Sequence, residues 1–378
     1  MESRGNDAYL PPTEGEVEIS IFGPGYGECI LVHLGLGDWI AIDSCIDPAT
    51  RDPIALSYLN AICIDPETML RVVLATHWDD DHVSGLAQLF RSASAAKFVC
   101  SSIMRSNEFS ALVGSWRLSG FLPGGSGVDE FAQIIDELGQ RAKDSRYPTP
   151  VFASEGKLIW ERASSPSAEV RALSPSNAAE VAAIARLSML MGESDKLRRR
   201  IPCIENNHAC VVLSIRIAGI YILLGGDLQC RADRAFGWLA VVDGNAGREL
   251  HELYKIPHHG SANADHDEVW SKLLRPALPA VTTPYVNGRT RLPSPEDCRR
   301  ILKRTTRAYV TASPAPAKFR DRDRTVEKTV RETAKCVQLV PGRFGHIRLR
   351  KKISSEDEAE WEIALFGDAM HLAQLLPI

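Results

Sequence analysis

Two histidines and three aspartates occupy a stretch of six residues in this chain. His77 and His82 enclose Asp79, Asp80 and Asp81, and the stretch follows the apolar run RVVLAT, which predicts a buried strand. Buried carboxylates are strongly disfavoured unless a cation compensates their charge. Imidazole and carboxylate groups together are ligands of divalent metals. The stretch therefore predicts a metal site at the end of a strand, with a solvated acidic helix start as the alternative.

Three shorter segments also place chemically active side chains after apolar stretches. Asp43 follows WIAI, Asp227 follows IYILLGG, and His258 and His259 follow LYKIP. Taken alone each segment is weak, because a turn residue, a helix N-cap or strand-end packing explains it equally well. Asp43 precedes HWDDDH, and the other two segments follow it. Because of this order along the chain, we predict that all four segments contribute to one site.

The elements that must position these residues alternate between strand and helix patterns. Strands are predicted at VEISIF, CILVHL, WIAIDS, RVVLAT, ACVVLSIRIAG and IYILLGGD. Helical spacing or start signals occur between them, at about 54–70, 84–92, 129–143, 177–200, 231–242 and 296–307. This order predicts an α/β (α+β) chain in which two mixed sheets pack face to face and helices flank them.

The chain of 378 residues is expected to form one elaborated domain. Residues 1–15 are interpreted as a flexible leader and 16–352 as the main domain. That domain carries an insertion at about 100–205, and 353–378 form a C-terminal extension packed on it.

Composition narrows the class of protein. A net charge of −4 excludes a generally basic nucleic-acid coat, and nine cysteines without a CxxC pair favour a reducing compartment. The N-terminus lacks the apolar segment of a signal peptide, and apolar runs are shorter than a membrane span requires. We therefore expect a soluble, cytoplasmic protein without a membrane partner.

In their order the motifs resemble those of the metallo-β-lactamase-fold hydrolases, and most closely the hydrolase domain of the ComEC competence proteins and its stand-alone relatives. The resemblance runs from about Val17 to Arg350 and rests on FGPGYGECILV, HWDDDH, GGD and HHGS. It implies a four-layer αββα sandwich, the metallo-β-lactamase fold, with two divalent metal ions at one edge of the two sheets.

The same resemblance implies metal ligands. His77 and Asp79 would serve the first ion, Asp81 and His82 the second, and Asp227 would bridge them. His258 matches the last histidine ligand, with His259 as the rival assignment.

Other residues would act around these ligands. Asp43 would orient the site from behind them. Asp81 or Asp227 would hold the attacking water in line, and His259 and His208 are the candidates for protonating the leaving group.

Two departures from the wider superfamily bear on the metal. Asp79 stands where that superfamily has a second histidine, which favours Mn²⁺ or Mg²⁺ relative to a histidine-rich zinc site. The identity of the metal ion is left open between zinc and manganese, with magnesium as a further option. His208 lies near the place of the superfamily's third histidine, and it is interpreted as a ligand, a phosphate contact or an ordinary strand-end residue.

The activity that the resemblance implies is metal-dependent cleavage of a phosphodiester, often in DNA, and stand-alone relatives occur in bacterial antiviral systems. One alternative is hydrolysis of a small ester, thioester or cyclic nucleotide. Another is a subunit that works through a protein partner, with the insertion at 100–205 as its surface. Trp78 is expected to wall the pocket rather than to stack on a base.

A nucleic acid or other phosphodiester would need cationic contacts, and the chain has two basic clusters. The first cluster contains five basic residues that would share one face of a helix and could neutralise phosphates there. A basic face exposed to solvent explains this cluster equally well. The basic residues are Arg299, Arg300, Lys303, Arg304 and Arg307, with Lys196 and Arg198–Arg200 as a second cluster.

Overall fold

In the part of the chain that the structure describes, apolar segments pair into two eight-stranded sheets and one short hairpin. The computed structural model describes residues 10–23, 26–47, 50–119, 127–192, 206–245, 247–314, 345–353 and 360–376. The segment CVQLV at 336–340, whose apolar residues predict a further strand, lies outside these ranges, as do the basic cluster at 196–200 and the first nine residues of the leader.

The first sheet is built mainly from the N-terminal part of the chain. Its order is β17-β16-β1-β2-β3-β4-β5-β6. The pairs from β3 to β6 are parallel and the others antiparallel. The strands are β1 (Glu16–Gly23), β2 (Cys29–His33), β3 (Trp39–Ile42), β4 (Leu70–Ala75), β5 (Lys97–Ser101), β6 (Val151–Ala153), β16 (Gly345–Lys352) and β17 (Glu362–Phe366).

The second sheet is also mixed, with the order β18-β15-β12-β11-β10-β9-β8-β7. Its parallel core joins β10, β11, β12 and β15. The strands are β7 (Leu158–Arg162), β8 (Ala168–Ala172), β9 (Leu213–Ile217), β10 (Ile220–Leu224), β11 (Leu253–Lys255), β12 (Ala280–Thr282), β15 (Ala308–Val310) and β18 (Met370–His371). A separate hairpin pairs β13 (Tyr285–Asn287) with β14 (Thr290–Leu292).

Helices connect the strands. The α-helices are α1 (Ile54–Ala61), α2 (Pro66–Met69), α3 (Asp80–Val83), α4 (Leu86–Arg91), α5 (Asn107–Ser119), α6 (Gly127–Arg141), α7 (Asn177–Gly192), α8 (Gly237–Asn245), α9 (Asp267–Lys272) and α10 (Pro295–Arg304). Short 3₁₀ turns are formed at Ser102–Arg105, Asn206–Ala209, His258–Gly260, Ala262–Ala264 and Leu372–Leu375.

Three apolar cores separate four layers, as predicted. The middle core contains only strand and loop residues of the two sheets, such as Ile19, Ile40 and Ile222. One outer core packs α1, α4 and α6 on the first sheet. The other packs α8, α9 and α10 on the second sheet. The predicted fold class of two mixed sheets flanked by helices is therefore confirmed.

One predicted helix was wrong in extent. The segment 54–70 forms α1 and α2 rather than one helix. Cys63 adopts a left-handed backbone with φ of 59°, and the Asp65 side chain caps the second helix, whose first residue is Pro66. Proline is well tolerated in the first turn of a helix but not in its interior, so the chain restarts there.

The region expected as an insertion at 100–205 contributes strands to both sheets. It supplies β6 to the first sheet and β7 and β8 to the second. The C-terminal extension expected at 353–378 pairs in the same way, with β17 on β16 and β18 on β15. Among the described residues, no helix is long and apolar enough to cross a membrane.

Candidate metal centre

The candidate site lies where three strand ends from the two sheets meet. β4 ends at Ala75 and leads into the HWDDDH stretch, while β10 and β11 lead into Gly225–Asp227 and Ile256–His259. A backbone hydrogen bond from Val211 N to Thr76 O, at 3.0 Å, joins the sheets at this edge. The first sheet thus supplies one half of the site and the second sheet the other.

Asp43, directly after β3, holds the first half in place. Its fully buried carboxylate accepts hydrogen bonds from the backbone N–H and the hydroxyl of Thr76, both at 2.7 Å. It also lies 2.7 Å from Nδ1 of His82. A carboxylate on Nδ1 fixes the ring and leaves Nε2 to face the site, which is the arrangement found behind metal-binding histidines. The role predicted for Asp43 fits this position.

Three carboxylates and three imidazoles converge in front of Asp43. Nε2 of His82 lies 3.4 Å from Oδ2 of Asp227 and 3.7 Å from Oδ2 of Asp81. Nε2 of His259 lies 3.2 Å from Asp81 Oδ2 and 3.5 Å from Asp227 Oδ2. At the edge of the cluster, Nε2 of His77 lies 3.5 Å from Oδ2 of the half-exposed Asp79.

These residues fit a divalent ion. Three groups each offer three donor atoms within 4.8 Å of one another. Two of them lie in front of Asp43, namely His77, His82 and Asp227, and Asp81, His82 and His259, whereas the third includes Asp43 itself with Glu28 and His82. Among the described residues, the buried Nε2 atoms of His77 and His82 have no hydrogen-bond partner. Leaving a buried donor or acceptor unpaired costs about 1–3 kcal/mol. Coordination of a metal is the usual way in which such nitrogens are satisfied.

The directions of the pKa shifts in the cluster also indicate a place that suits a cation. Burial alone would lower the pKa of His82, but the carboxylates of Asp227 and Asp81 raise it well above its usual range. Burial raises the pKa of Asp227, while the charges of His82, His259 and Lys255 hold it well below its usual range. The carboxylates therefore attract protons to the place where a metal would supply positive charge.

The structure separates the two histidines of the HHGS motif. Both have left-handed backbones, with φ of 49° for His258 and 53° for His259, so their rings diverge, with centroids 6.3 Å apart. His259 enters the cluster. The His258 ring has Nδ1 2.9 Å from Asn263 Oδ1 and Nε2 3.3 Å from Asn207 Nδ2. The first assignment, His258, is corrected in favour of its rival, because His259 carries the ring that faces the carboxylates.

His208 lies outside the donor groups. It belongs to the 3₁₀ turn Asn206–Ala209, and its Nδ1 accepts a hydrogen bond of 3.3 Å from Nε of Arg231. Of the three interpretations of His208, a phosphate contact and an ordinary strand-end residue therefore remain.

A buried ion pair behind Asp227 was missed from the sequence. Nζ of Lys255 lies 2.7 Å from Oε1 of Glu28 and 3.9 Å from Oδ1 of Asp227, and both Lys255 and Glu28 are fully buried. Burial lowers the pKa of Lys255, but Glu28 and Asp227 raise it above the usual value. The signal was present, since Lys255 interrupts the apolar run LYKIP and Glu28 interrupts GYGECILV.

Further residues support the cluster. Cys210 Sγ accepts a hydrogen bond of 3.0 Å from the Asp227 backbone N–H and lies 3.8 Å from His77 Nδ1. The Tyr285 ring stacks on His259 with centroids 5.2 Å apart, and Tyr26 packs against Tyr285. Tyr26 belongs to the FGPGYGECILV stretch, but the sequence alone did not assign either tyrosine to the site.

The predicted basic face on α10 is largely neutralised. Arg299 pairs with Glu296 at 3.3 Å, and Arg300 pairs with Asp265 at 3.1 Å and with Asp297. Arg304 pairs with Asp265 and Asp267, and Arg307, which follows the helix, pairs with Glu360. Phosphate binding by these arginines would compete with existing ion pairs.

Comparison with known proteins gives structural likenesses only. No family model and no curated protein matches the chain. Solved structures that are similar include YhfI, a metallo-β-lactamase fold protein from Bacillus subtilis, at 10% identity and a TM-score of 0.32, covering 63% of this chain and 70% of that one. MEM-A1, a subclass B3 metallo-β-lactamase isolated from a soil metagenome library, has 14% identity and a TM-score of 0.33 over 68% and 83% of the two chains. Zn²⁺-bound PqqB from Methylobacterium extorquens has 13% identity and a TM-score of 0.31 over 70% of each chain.

Proposed function

We propose that this protein is a metal-dependent hydrolase that cleaves phosphodiesters. The observation that carries the proposal is the pair of overlapping three-donor groups, in which buried imidazole nitrogens without hydrogen-bond partners in the described chain face buried carboxylates. His77, Asp79, Asp81, His82, Asp227 and His259 would hold the ions. Bound there, two divalent ions would lower the pKa of a water molecule and neutralise negative charge that develops on the substrate.

The chain's own residues would position the reaction. Asp43 orients His82, and Lys255 holds the Asp227 side of the cluster through its charge and through a hydrogen bond of 3.1 Å to Gly226 O. Asp81 and Asp227 both present a carboxylate oxygen within 3.7 Å of His82 Nε2, so either would be placed to hold the attacking water in line. Tyr285 covers His259 and limits access of solvent from that side.

The phosphodiester is favoured over other substrates on two grounds. The ligand set is rich in carboxylates, and such sites suit Mn²⁺ or Mg²⁺ as well as Zn²⁺, which are the ions of phosphoryl-transfer enzymes. The motif order also resembles hydrolase domains associated with phosphodiester cleavage. A nucleic acid substrate and a role in antiviral defence remain proposals that rest on the resemblance.

The deciding experiment measures metal content and hydrolysis together. Protein loaded with Mn²⁺ or Zn²⁺ is assayed by elemental analysis and with bis-(p-nitrophenyl) phosphate and plasmid DNA. We expect bound metal and hydrolysis of the chromogenic diester, both lost in His82→Ala and retained in His371→Ala, which removes a histidine outside the cluster. Loaded protein that cleaves neither substrate would overturn the phosphodiesterase proposal.

The same assay tests the choice between the paired histidines. His259→Ala should lose bound metal, whereas His258→Ala should keep it, because only the His259 ring faces Asp81 and Asp227. The reverse result would restore His258 as the ligand.

A further inference from the structure

A cavity of about 540 Å³ opens beside the metal centre. Trp78, which stands between His77 and Asp79 in the sequence, forms one wall, and Ala209, next to Cys210, contributes another part. The Cys210 thiol lies 3.8 Å from the His77 ring. In the sequence, Trp78 is therefore next to His77, and Ala209 is next to Cys210, which contacts the cluster. A molecule that reacts at the cluster would have this space within reach.

The walls of the cavity are mostly apolar and small. Helix α7 contributes Ala179, Ala182, Ala183 and Leu187, and Phe236 faces it from the segment before α8. Helix α7 thus lines the cavity mainly with alanines, together with the larger side chains of Arg186, Leu187 and Met189, and Trp78 adds an indole to the lining. Ligand pockets of about 300–1,000 Å³ with this apolar character hold molecules of drug or nucleoside size.

Polar and charged side chains also line the apolar slot. Arg186 of α7, Arg231 and His208 all line the cavity, with Asp233 as the acidic residue among its lining residues. Nε of Arg231 donates a hydrogen bond of 3.3 Å to His208 Nδ1, which joins these two side chains in the cavity wall. Two arginines against one aspartate favour an anionic ligand, and guanidinium groups are well suited to phosphate.

We propose that this cavity binds the aromatic group of a phosphorylated ligand such as a nucleotide, next to the scissile phosphate. The aromatic ring would lie between Trp78 and the alanine face of α7, and Arg231 with His208 would contact the phosphate side. This inference rests on the proposed function for the phosphate and on the cavity itself for the aromatic ring. It assigns His208 and Arg231 to binding of the substrate.

The cavity can be narrowed without touching the cluster. Ala182 is exposed and lines the cavity, whereas the neighbouring Val181 is exposed on α7 and is not among the lining residues. Ala182→Trp would fill part of the slot, and Val181→Trp places the same large residue one position away. Comparison of the two variants separates loss of the slot from a general effect of a tryptophan on α7.

Binding is measured by calorimetry on metal-loaded protein with three probes, namely adenosine 5′-monophosphate, ribose 5-phosphate and adenosine. Since stacking of one base is worth enough to change affinity severalfold to a hundredfold, the nucleotide should bind on the order of tenfold more tightly than ribose 5-phosphate. Ala182→Trp should abolish that difference and Val181→Trp should preserve it. Arg231→Gln should weaken binding of the nucleotide more than that of adenosine.

Adenosine is also measured in the presence of EDTA, because its binding needs neither metal nor hydrolysis. Adenosine that binds to a protein without phosphodiesterase activity supports the cavity assignment and rejects the proposed function. Active protein that binds the nucleotide and ribose 5-phosphate equally well overturns the cavity assignment, as does an equal effect of the two tryptophan variants.

Discussion

The metal centre and helix α10 both concentrate charged residues, but they satisfy their charges in opposite ways. On α10, Arg299, Arg300 and Arg304 each lie against a carboxylate. At the metal centre, imidazole nitrogens of His77 and His82 are buried with no hydrogen-bond partner among the described residues. The first region pairs its charges within the chain, whereas the second presents buried donor atoms that could hold a cation. Charge density alone therefore does not identify a functional site, and the pairing of the charges does.

The largest difference between the two regions is expected when one carboxylate is removed from each. Asp227→Asn should lower hydrolysis by about 10³-fold or more, because metal ions supply several kcal/mol of charge stabilisation and this carboxylate belongs to the donor set. Asp265→Asn removes the partner of Arg300 and Arg304 and should leave both rate and metal content nearly unchanged. Elemental analysis and diester hydrolysis measure both effects, and equal losses would contradict the comparison.

The second test removes one cation from each region. Lys255→Met leaves Glu28 buried without its partner and should lower the free energy of unfolding by about 3 kcal/mol or more. Arg304→Met breaks ion pairs at the surface and should cost at most about 1 kcal/mol. Urea unfolding provides the values. Adding Glu28→Gln to Lys255→Met should recover part of the loss, and a double variant no better than the single one would refute a paired charge.

A smaller effect on metal binding is expected from Asp43, which contacts His82 from behind the proposed ligands. Asp43→Asn keeps the shape of the side chain but removes the charge that orients His82. Partners of metal-binding histidines change metal affinity by about 10–100-fold when they are removed. A metal-competition titration with a chelator measures the change. Wild-type affinity in Asp43→Asn would show that the Thr76 contacts alone suffice to hold the loop.

The smallest test uses a buried histidine that is satisfied. His251 has Nδ1 2.9 Å from Leu273 O and Nε2 2.8 Å from Ser214 Oγ, and burial lowers its pKa from 6.5 to about 4. A lowered pKa means that the unfolded chain takes up the proton first, so stability present above pH 6.5 is lost as the pH falls towards 4. Between pH 7 and 5.5 the titration of this group should lower the free energy of unfolding by about 1.2 kcal/mol.

His251→Gln removes that titration, so its free energy of unfolding should fall less than that of the wild type between the two pH values. The metal-site histidines titrate equally in both proteins and cancel in the difference. Parallel pH profiles would show that His251 titrates normally.

The sequence was most informative where one segment carries several ligands. HWDDDH delivers His77, Asp79, Asp81 and His82 to the site because a buried strand ends directly before it and a short helix begins at Asp80. Asp227 was found for the same reason, since two glycines follow its strand. The two mixed sheets followed from the alternation of strand and helix patterns, which depends on local periodicity.

Other features depend on geometry that no local pattern contains. His258 and His259 are adjacent, and only the left-handed turn decides which ring faces the cluster. Glu28 and Lys255 pair across more than two hundred residues, so neither predicts the other. The arginines of α10 looked available for phosphates because Asp265 and Asp267 lie some thirty residues before them in the sequence, on a neighbouring element.

The division of the site between the two sheets has a consequence for how the chain is made. Residues 77–82 are synthesised about 145 positions before Asp227 and still longer before His259. At about 5–20 residues per second, the first half of the cluster leaves the ribosome roughly 10–30 s before its counterpart. A nascent chain in that interval exposes carboxylates and imidazoles with only part of the coordination sphere. Firm capture of metal would therefore mark the moment at which the second sheet docks on the first.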